Sequence, residues 1–253
     1  MGAAAVSNRQ VDYGLGECLD IYRPGISPDS TERLPVVLLW HGVGVAERGV
    51  LAPLARAVAR GGSLVVVPDW RSSAADRGRA HLLASLEFAR TRMDAYGGDS
   101  SRFVLAGWSR GARAGMGLVL RPEVVNGWRP GAFVGIAGGY GPRPHGQNSD
   151  APTTGSIPLE DARSSTAAPL PVTLVHGTSD PVVDIEQSRS VAGVLRNRGW
   201  DVTLTEVPDA DHSSIVWADD DHVTKRSRPG NSAQSLRDGS MTAGSVLEAL
   251  DRV

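Results

Sequence analysis

Gly107-Trp108-Ser109-Arg110-Gly111 decides how the rest of the chain is read. The pentapeptide follows a short apolar run, Phe103-Val104-Leu105-Ala106, and precedes a helix-compatible run from Ala112 to Leu120. A serine between two glycines at this spacing, at a strand-to-helix corner, has the form of a nucleophile elbow. A serine hydroxyl is a weak nucleophile, so it must stand clear of the sheet where a base can reach it. The sharp turn forces strained dihedrals on the serine, and the neighbouring chain then passes too close for a Cβ at either flank. Glycine at 107 and at 111 removes those clashes. The same five residues also suit a plain strand–turn–helix corner, because glycine and serine are common turn residues. Three other stretches separate the two readings.

Two lie downstream. Pro171-Val172-Thr173-Leu174-Val175-His176-Gly177 reads as a buried strand ending in a turn, and Asp180 falls just beyond it. Asp201 to Val207 alternates apolar and polar side chains, as a half-buried strand does, and the loop after it carries His212. The chemistry-bearing residues therefore run Ser109, Asp180, His212, with room for one helix and one strand between the last two. A histidine base needs an acid to fix its tautomer and orientation, which makes His212 the candidate base and Asp180 the candidate acid. Asp184 is the rival acid, but it falls at a predicted helix start, where capping accounts for it. Among the other histidines, His41 belongs to an upstream loop and braces it, and His176 ends a strand and reads as structural. His81, His145 and His222 have no supporting spacing.

The third stretch lies upstream. Leu34 to Trp40 has a central-strand pattern and runs into His41-Gly42-Val43-Gly44, whose backbone N–H groups can face a developing oxyanion. Further pieces accompany it: Leu19-Asp20-Ile21-Tyr22-Arg23-Pro24, Pro68-Asp69-Trp70-Arg71, Tyr96-Gly97-Gly98-Asp99 and His176-Gly177-Thr178-Ser179-Asp180. Taken in order over residues 17–215, they resemble the α/β-hydrolases of the carboxylesterase/lipase type, closest to small esterases without a large cap. The resemblance implies a serine esterase that acts on a small-molecule ester without metal or organic cofactor. It implies an oxyanion hole built from the N–H groups of Gly42, Val43 and Arg110, with Asp69 bracing loops. Val43 departs from the triple-glycine form of that loop. Valine can supply the N–H if its φ is negative, whereas a positive φ would cost about 1–3 kcal/mol. The Arg110 side chain is a second departure, suited to an acidic substrate group or to a structural ion pair. Trp70, Trp108 and Trp217 flank the predicted site loops and are candidate substrate contacts, with core packing as the competing role. Two alternatives stay open. Prolyl-oligopeptidase-like peptidases or amidases carry strand-turn motifs like that around Asp180, and a ligand-binding or acyl-transferring protein could keep the same frame.

The 253 residues suffice for one sizeable core, so a single domain over 1–253 is expected. Strands are expected within 10–23 and at 35–40, 64–68, 102–107, 132–137, 171–176 and 202–207. Helices are expected near 50–60, 79–96, 111–120, 185–198 and 233–251. This alternation predicts an α/β fold: a doubly wound, mostly parallel eight-stranded sheet flanked by helices. Residues 138–170, rich in Gly, Pro, Ser and Thr, read as one long irregular segment, either a lid or pocket rim or a surface insert. Asp219 to Gly230 reads as a solvated loop, and Asp219-Asp220-Asp221-His222 lacks the spacing of a metal site. A net charge of −2 gives no reason to expect nucleic acid or an anionic membrane as partner. No run approaches ~20 apolar residues, so no membrane span is expected. Met1 to Gln10 lacks the basic and apolar regions of a secretory signal, which makes a cytoplasmic protein the expectation. The one cysteine, Cys18, allows no internal disulfide.

Overall fold

The computed structural model describes residues 5–25, 33–44, 46–142, 149–221 and 226–253. Two antiparallel strands, β1 (Val6–Gly14) and β2 (Glu17–Pro24), open the chain. There follow β3 (Leu34–Trp40), α1 (Ala52–Arg60), β4 (Leu64–Pro68), α2 (Arg79–Arg92), β5 (Gly98–Trp108), α3 (Arg110–Leu120) and β6 (Ala132–Ile136). The second half holds α4 (Pro158–Ser164), β7 (Val172–Gly177), α5 (Glu186–Asn197), β8 (Val202–Val207), a hairpin of β9 (Ala218–Asp221) and β10 (Arg226–Pro229), and α6 (Ala233–Leu250).

Eight strands form one sheet in the order β1-β2-β4-β3-β5-β6-β7-β8. From β4 to β8 every pairing is parallel, and β2 meets β4 antiparallel. The near-continuous apolar runs follow from this, because helices cover both faces of a parallel sheet. The pleat divides β3 between two cores: Val36, Leu38 and Trp40 face α2, α3 and α5, while Val37 and Leu39 face α1 and α6. The parallel strands all end on the same edge, and their following loops gather there, where ligands bind in open α/β sheets.

The structure corrects the sequence reading in two places. Residues 138–170 are not one irregular segment, since they contain α4, which packs on α3 and α5. The acidic stretch from Asp219 is not simply a loop. Asp219, Asp220 and Asp221 lie on β9, paired with β10, and Asp219 accepts hydrogen bonds from Ser232 Oγ and from the Asn231 N–H. His145 and His222 lie outside the described residues. Among those described, no helix is long and apolar enough to cross a membrane.

Candidate active site

Ser109 sits between the end of β5 and the start of α3 with φ 55° and ψ −114°. That is the strained corner expected of an elbow, and the flanking glycines show why the strain persists. A Cβ at Gly107 would overlap the backbone of Gly111, and a Cβ at Gly111 would overlap the carbonyl oxygens of Trp40 and His41. The corner is thus packed directly against the end of β3, and the Ser109 N–H is tied to Ile136 O at 2.8 Å.

The loops after β7 and β8 are joined along their length. Ser179 N–H donates to Ala210 O at 3.0 Å, Asp209 N–H donates to Thr178 Oγ1 at 2.9 Å, and Gly177 leaves no room for a Cβ against Ala210. This brings Asp180 Oδ2 to 2.7 Å from His212 Nδ1. The other carboxylate oxygen accepts the N–H groups of Val182 and Val183 at 2.8 and 2.9 Å. His212 is held from behind as well: Trp108 Nε1 donates to its carbonyl at 2.9 Å, and the two rings lie 5.3 Å apart. Among the described residues no hydrogen bond joins the Ser109 hydroxyl to His212. In unliganded sites such bonds are often long and close only around substrate. Asp184 is exposed, lines the same cavity, and accepts the Glu186 N–H at 2.9 Å at the start of α5; among the described residues no hydrogen bond joins it to His212.

His176, structural by its place at a strand end, touches the same acid. Its Nε2 lies 2.9 Å from Val183 O and 3.4 Å from Asp180 Oδ2. Both neighbours only accept, so Nε2 carries the proton, and Nδ1 at 2.7 Å accepts from Ser188 Oγ. Burial opposes ionisation of Asp180, but the hydrogen bonds from His176 and His212 outweigh it and hold the carboxyl well below the usual carboxylate range.

Three successive carbonyls of the loop after β3 each have a partner. His41 O accepts Trp70 Nε1–H at 3.2 Å, Gly42 O lies 3.1 Å from His41 Nδ1, and Val43 O accepts Ser72 Oγ–H at 2.5 Å. A trans peptide sends the next N–H opposite to its own carbonyl, so the Gly42 N–H points away from Trp70 Nε1, the Val43 N–H from His41 Nδ1 and the Gly44 N–H from Ser72 Oγ. Neither Gly42 nor Val43 has a positive φ, so valine is unstrained there. A Cβ built on Gly42 would lie 3.5 Å from Ser109 Cβ, which places this loop beside the elbow. Arg110, the other candidate donor, is the first residue of α3, where helical N–H groups lack intrahelical partners.

His41 is wholly buried, stacked on Trp70 at 5.4 Å, with Nε2 accepting the Trp70 N–H at 3.2 Å. Burial pushes its pKa down to about 4, against a weaker opposing pull from Asp69. Between pH 6.5 and 4 the unfolded chain gains a proton at this residue that the folded chain refuses. Stability therefore falls as pH drops through that window, by about 3 kcal/mol, and the dependence ends once both states are protonated. Denaturant unfolding of the parent and of His41→Gln at pH 7 and pH 4.5 checks this. The difference in stability between the two pH values should be smaller in the variant, and equal slopes would refute the assignment.

Asp69 sits beside this loop. Its carboxylate accepts the Arg48 N–H at 3.0 Å and pairs with the Arg48 guanidinium, which also reaches Asp20 at 3.2 Å. Ser109, Val43, Arg110 and Asp180 line one cavity of about 870 Å³, together with Pro181, Val182, Ile185 and Gln187. Volumes of about 300–1,000 Å³ are usual for small-molecule sites. Arg113 also lines it, a residue the sequence reading passed over. It is 2 % exposed, donates from Nη2 to Gly141 O at 2.9 Å, and is bonded to Ser149 O. Its signal was an arginine inside an otherwise small and apolar helix.

Trp70, Trp108 and Trp217, expected as substrate contacts, do not line this cavity. Trp70 and Trp108 are buried and spend their indole N–H groups on His41 O and His212 O, while Trp217 packs against Gly239 of α6. They brace the loops from behind.

No family model matches the chain, and no curated protein matches it by sequence. Solved structures do. A hyperthermophilic esterase from the archaeon Pyrobaculum calidifontis superposes with a TM-score of 0.70 at 16% identity, over 96% of this chain and 85% of that one. A thermostable esterase from Pseudomonas putida gives 0.68 at 16%, over 97% and 83%. A putative dienelactone hydrolase from Klebsiella pneumoniae gives 0.69 at 18%, over 98% and 100%. With its eight-stranded sheet, its elbow after β5 and these neighbours, the chain has the α/β-hydrolase fold.

Proposed function

We propose that the protein is a serine hydrolase that cleaves carboxylic esters through an acyl-enzyme. The observation that carries this reading is the 2.7 Å contact of His212 Nδ1 with Asp180 Oδ2, an acid whose loop lines the same cavity as the elbow serine. Ser109 Oγ attacks the acyl carbon while His212 Nε2 takes its proton. The N–H groups of Gly42, Val43 and Arg110 hold the oxyanion. The imidazolium, steadied by ionised Asp180, then protonates the departing alcohol. Water, deprotonated by the same His212, attacks the acyl-serine, and the acid leaves with Ser109 restored. No metal or organic cofactor enters any step, and the substrate is a small-molecule ester met in the cytoplasm. Gly139 and Pro142 lie on the cavity wall, so we read the start of the 138–170 segment as the pocket rim.

The test is twofold. A fluorophosphonate probe should label the protein at Ser109, and short p-nitrophenyl esters should turn over. An amide matched to the best ester should be cleaved at least ~10²-fold more slowly, because an amine is a far poorer leaving group than an alkoxide and asks more of the general acid. Comparable rates would favour a peptidase, and absence of labelling would favour a binding protein.

A further inference from the structure

Glu47 follows the loop after β3 and belongs to no motif, yet its side chain is only 16 % exposed. Its Oε2 accepts the Gly44 N–H at 3.1 Å and lies 3.9 Å from His41 Nδ1, the atom beside Gly42 O. A Cβ at Gly44 would overlap the Glu47 carboxyl, so any side chain there would displace it. The peptide joining Val43 to Gly44 is thereby gripped at both ends, its carbonyl by Ser72 Oγ and its N–H by Glu47. The next residue, Arg48, is anchored in turn to Asp69. Burial pushes the Glu47 carboxyl up, while the Gly44 N–H, Arg226 and His212 pull the other way. Nothing about loop solubility requires an acid in so enclosed a place.

Resting on the esterase reading, we infer that Glu47 is a positioning residue for the oxyanion hole. It claims the Gly44 N–H and fixes the plane of the peptide that follows Val43. This restricts the oxyanion donors of the loop to Gly42 and Val43 and holds them at the elbow. A residue of this kind acts on the transition state and leaves ground-state binding alone, because the oxyanion forms only when Ser109 attacks.

Three substitutions test this on an ester that the parent hydrolyses. Removing one oxyanion donor outright costs about 10²–10³ in kcat, so a loosened donor should cost less. Glu47→Ala should lower kcat by roughly 10–100-fold with KM within ~3-fold, and should weaken a boronic acid, which forms a tetrahedral adduct on serine, by the same factor as kcat. Glu47→Gln keeps an oxygen acceptor for the Gly44 N–H and should stay within ~3-fold of the parent. Should Glu47→Ala fail to fold, Gly44→Ala tests the same contact, since its Cβ displaces the carboxyl, and it should reproduce the loss. A purely structural role would lower the melting temperature while leaving kcat and boronate affinity within ~2-fold, and that result would overturn the inference. So would a loss in Glu47→Gln equal to that in Glu47→Ala. If the parent protein is neither labelled at Ser109 by a fluorophosphonate nor active on esters, the esterase reading fails and takes this inference with it. If the parent is labelled and active while Glu47→Ala is just as fast, only the role of Glu47 is lost.

Discussion

Ser109→Ala should abolish ester hydrolysis, with kcat falling on the order of 10⁶-fold, as when the nucleophile is removed from other serine hydrolases that act as a unit with their base. The size of the effect follows from what the substitution takes away. Alanine keeps the Cβ, so the corner at φ 55° loses no packing, and Gly107 and Gly111 still accommodate the tight passage. Only Oγ disappears. That atom holds no hydrogen bond among the described residues, so the fold does not depend on it. The melting temperature should therefore stay the same or rise slightly, which is the usual sign of a residue kept for activity at some cost to stability. Labelling by a fluorophosphonate should vanish together with turnover. Residual activity above ~1% of the parent, in protein free of contaminating hydrolase, would place the nucleophile elsewhere and end the present reading of the site.

The frame of the molecule was legible because its strands carry a strong one-dimensional signal. Leu64 to Val67 and Val172 to Val175 are apolar runs that end at turns, and they are strands within a residue or two of where the patterning put them. Chain order then placed Ser109, Asp180 and His212 at the same sheet edge. What escaped notice lacked any periodic signal. α4 begins at a proline and buries only Pro158 and Ala162, so its stability comes from α3 and α5 and cannot be read from its seven residues. The β9–β10 hairpin has acidic residues where a strand pattern would have apolar ones, and its hydrogen bonds to Ser213 and Ser232 come from outside it. The tryptophans mark a different limit. Proximity in sequence placed Trp108 next to the nucleophile, but the pleat turns its side chain to the α6 face, into the packing behind His212. The grip of Glu47 on Gly44 and of Ser72 on Val43 depends on loop geometry, and no spacing announces it.

Asp180→Asn should lower kcat by about 10⁴-fold while leaving KM and the fold nearly unchanged, by analogy with the loss of the orienting acid in other triads. The structure supplies a specific reason for so large a drop from one atom. Asp180 Oδ1 accepts two backbone N–H groups, from Val182 and Val183. An asparagine must leave its oxygen there, since turning the amide over would set NH₂ against two donors. Its nitrogen is then fixed where Oδ2 was, facing His212 Nδ1 at 2.7 Å and His176 Nε2 at 3.4 Å. There it donates to His212 Nδ1, which moves the imidazole proton to Nε2, the nitrogen that should receive the proton of Ser109. The base would be present and correctly placed in the wrong tautomer. Asp184 does not stand in for it, because among the described residues no hydrogen bond joins it to His212 and its Oδ1 is engaged with the Glu186 N–H. The pH profile separates this from general damage. Asp180 is held below the usual carboxylate range, so in the parent it stays ionised from pH 5 to 9 and adds no limb of its own to the profile of kcat/KM. Its contribution to stability is full above the ordinary carboxylate pKa and is lost only as pH falls through the lower folded value, so the variant should lose little of its pH-dependent stability between pH 6 and 8. Steady-state kinetics from pH 5 to 9 with parallel thermal melts make the check. A fall of less than ~10-fold in kcat, with the fold intact, would remove Asp180 from the proton relay.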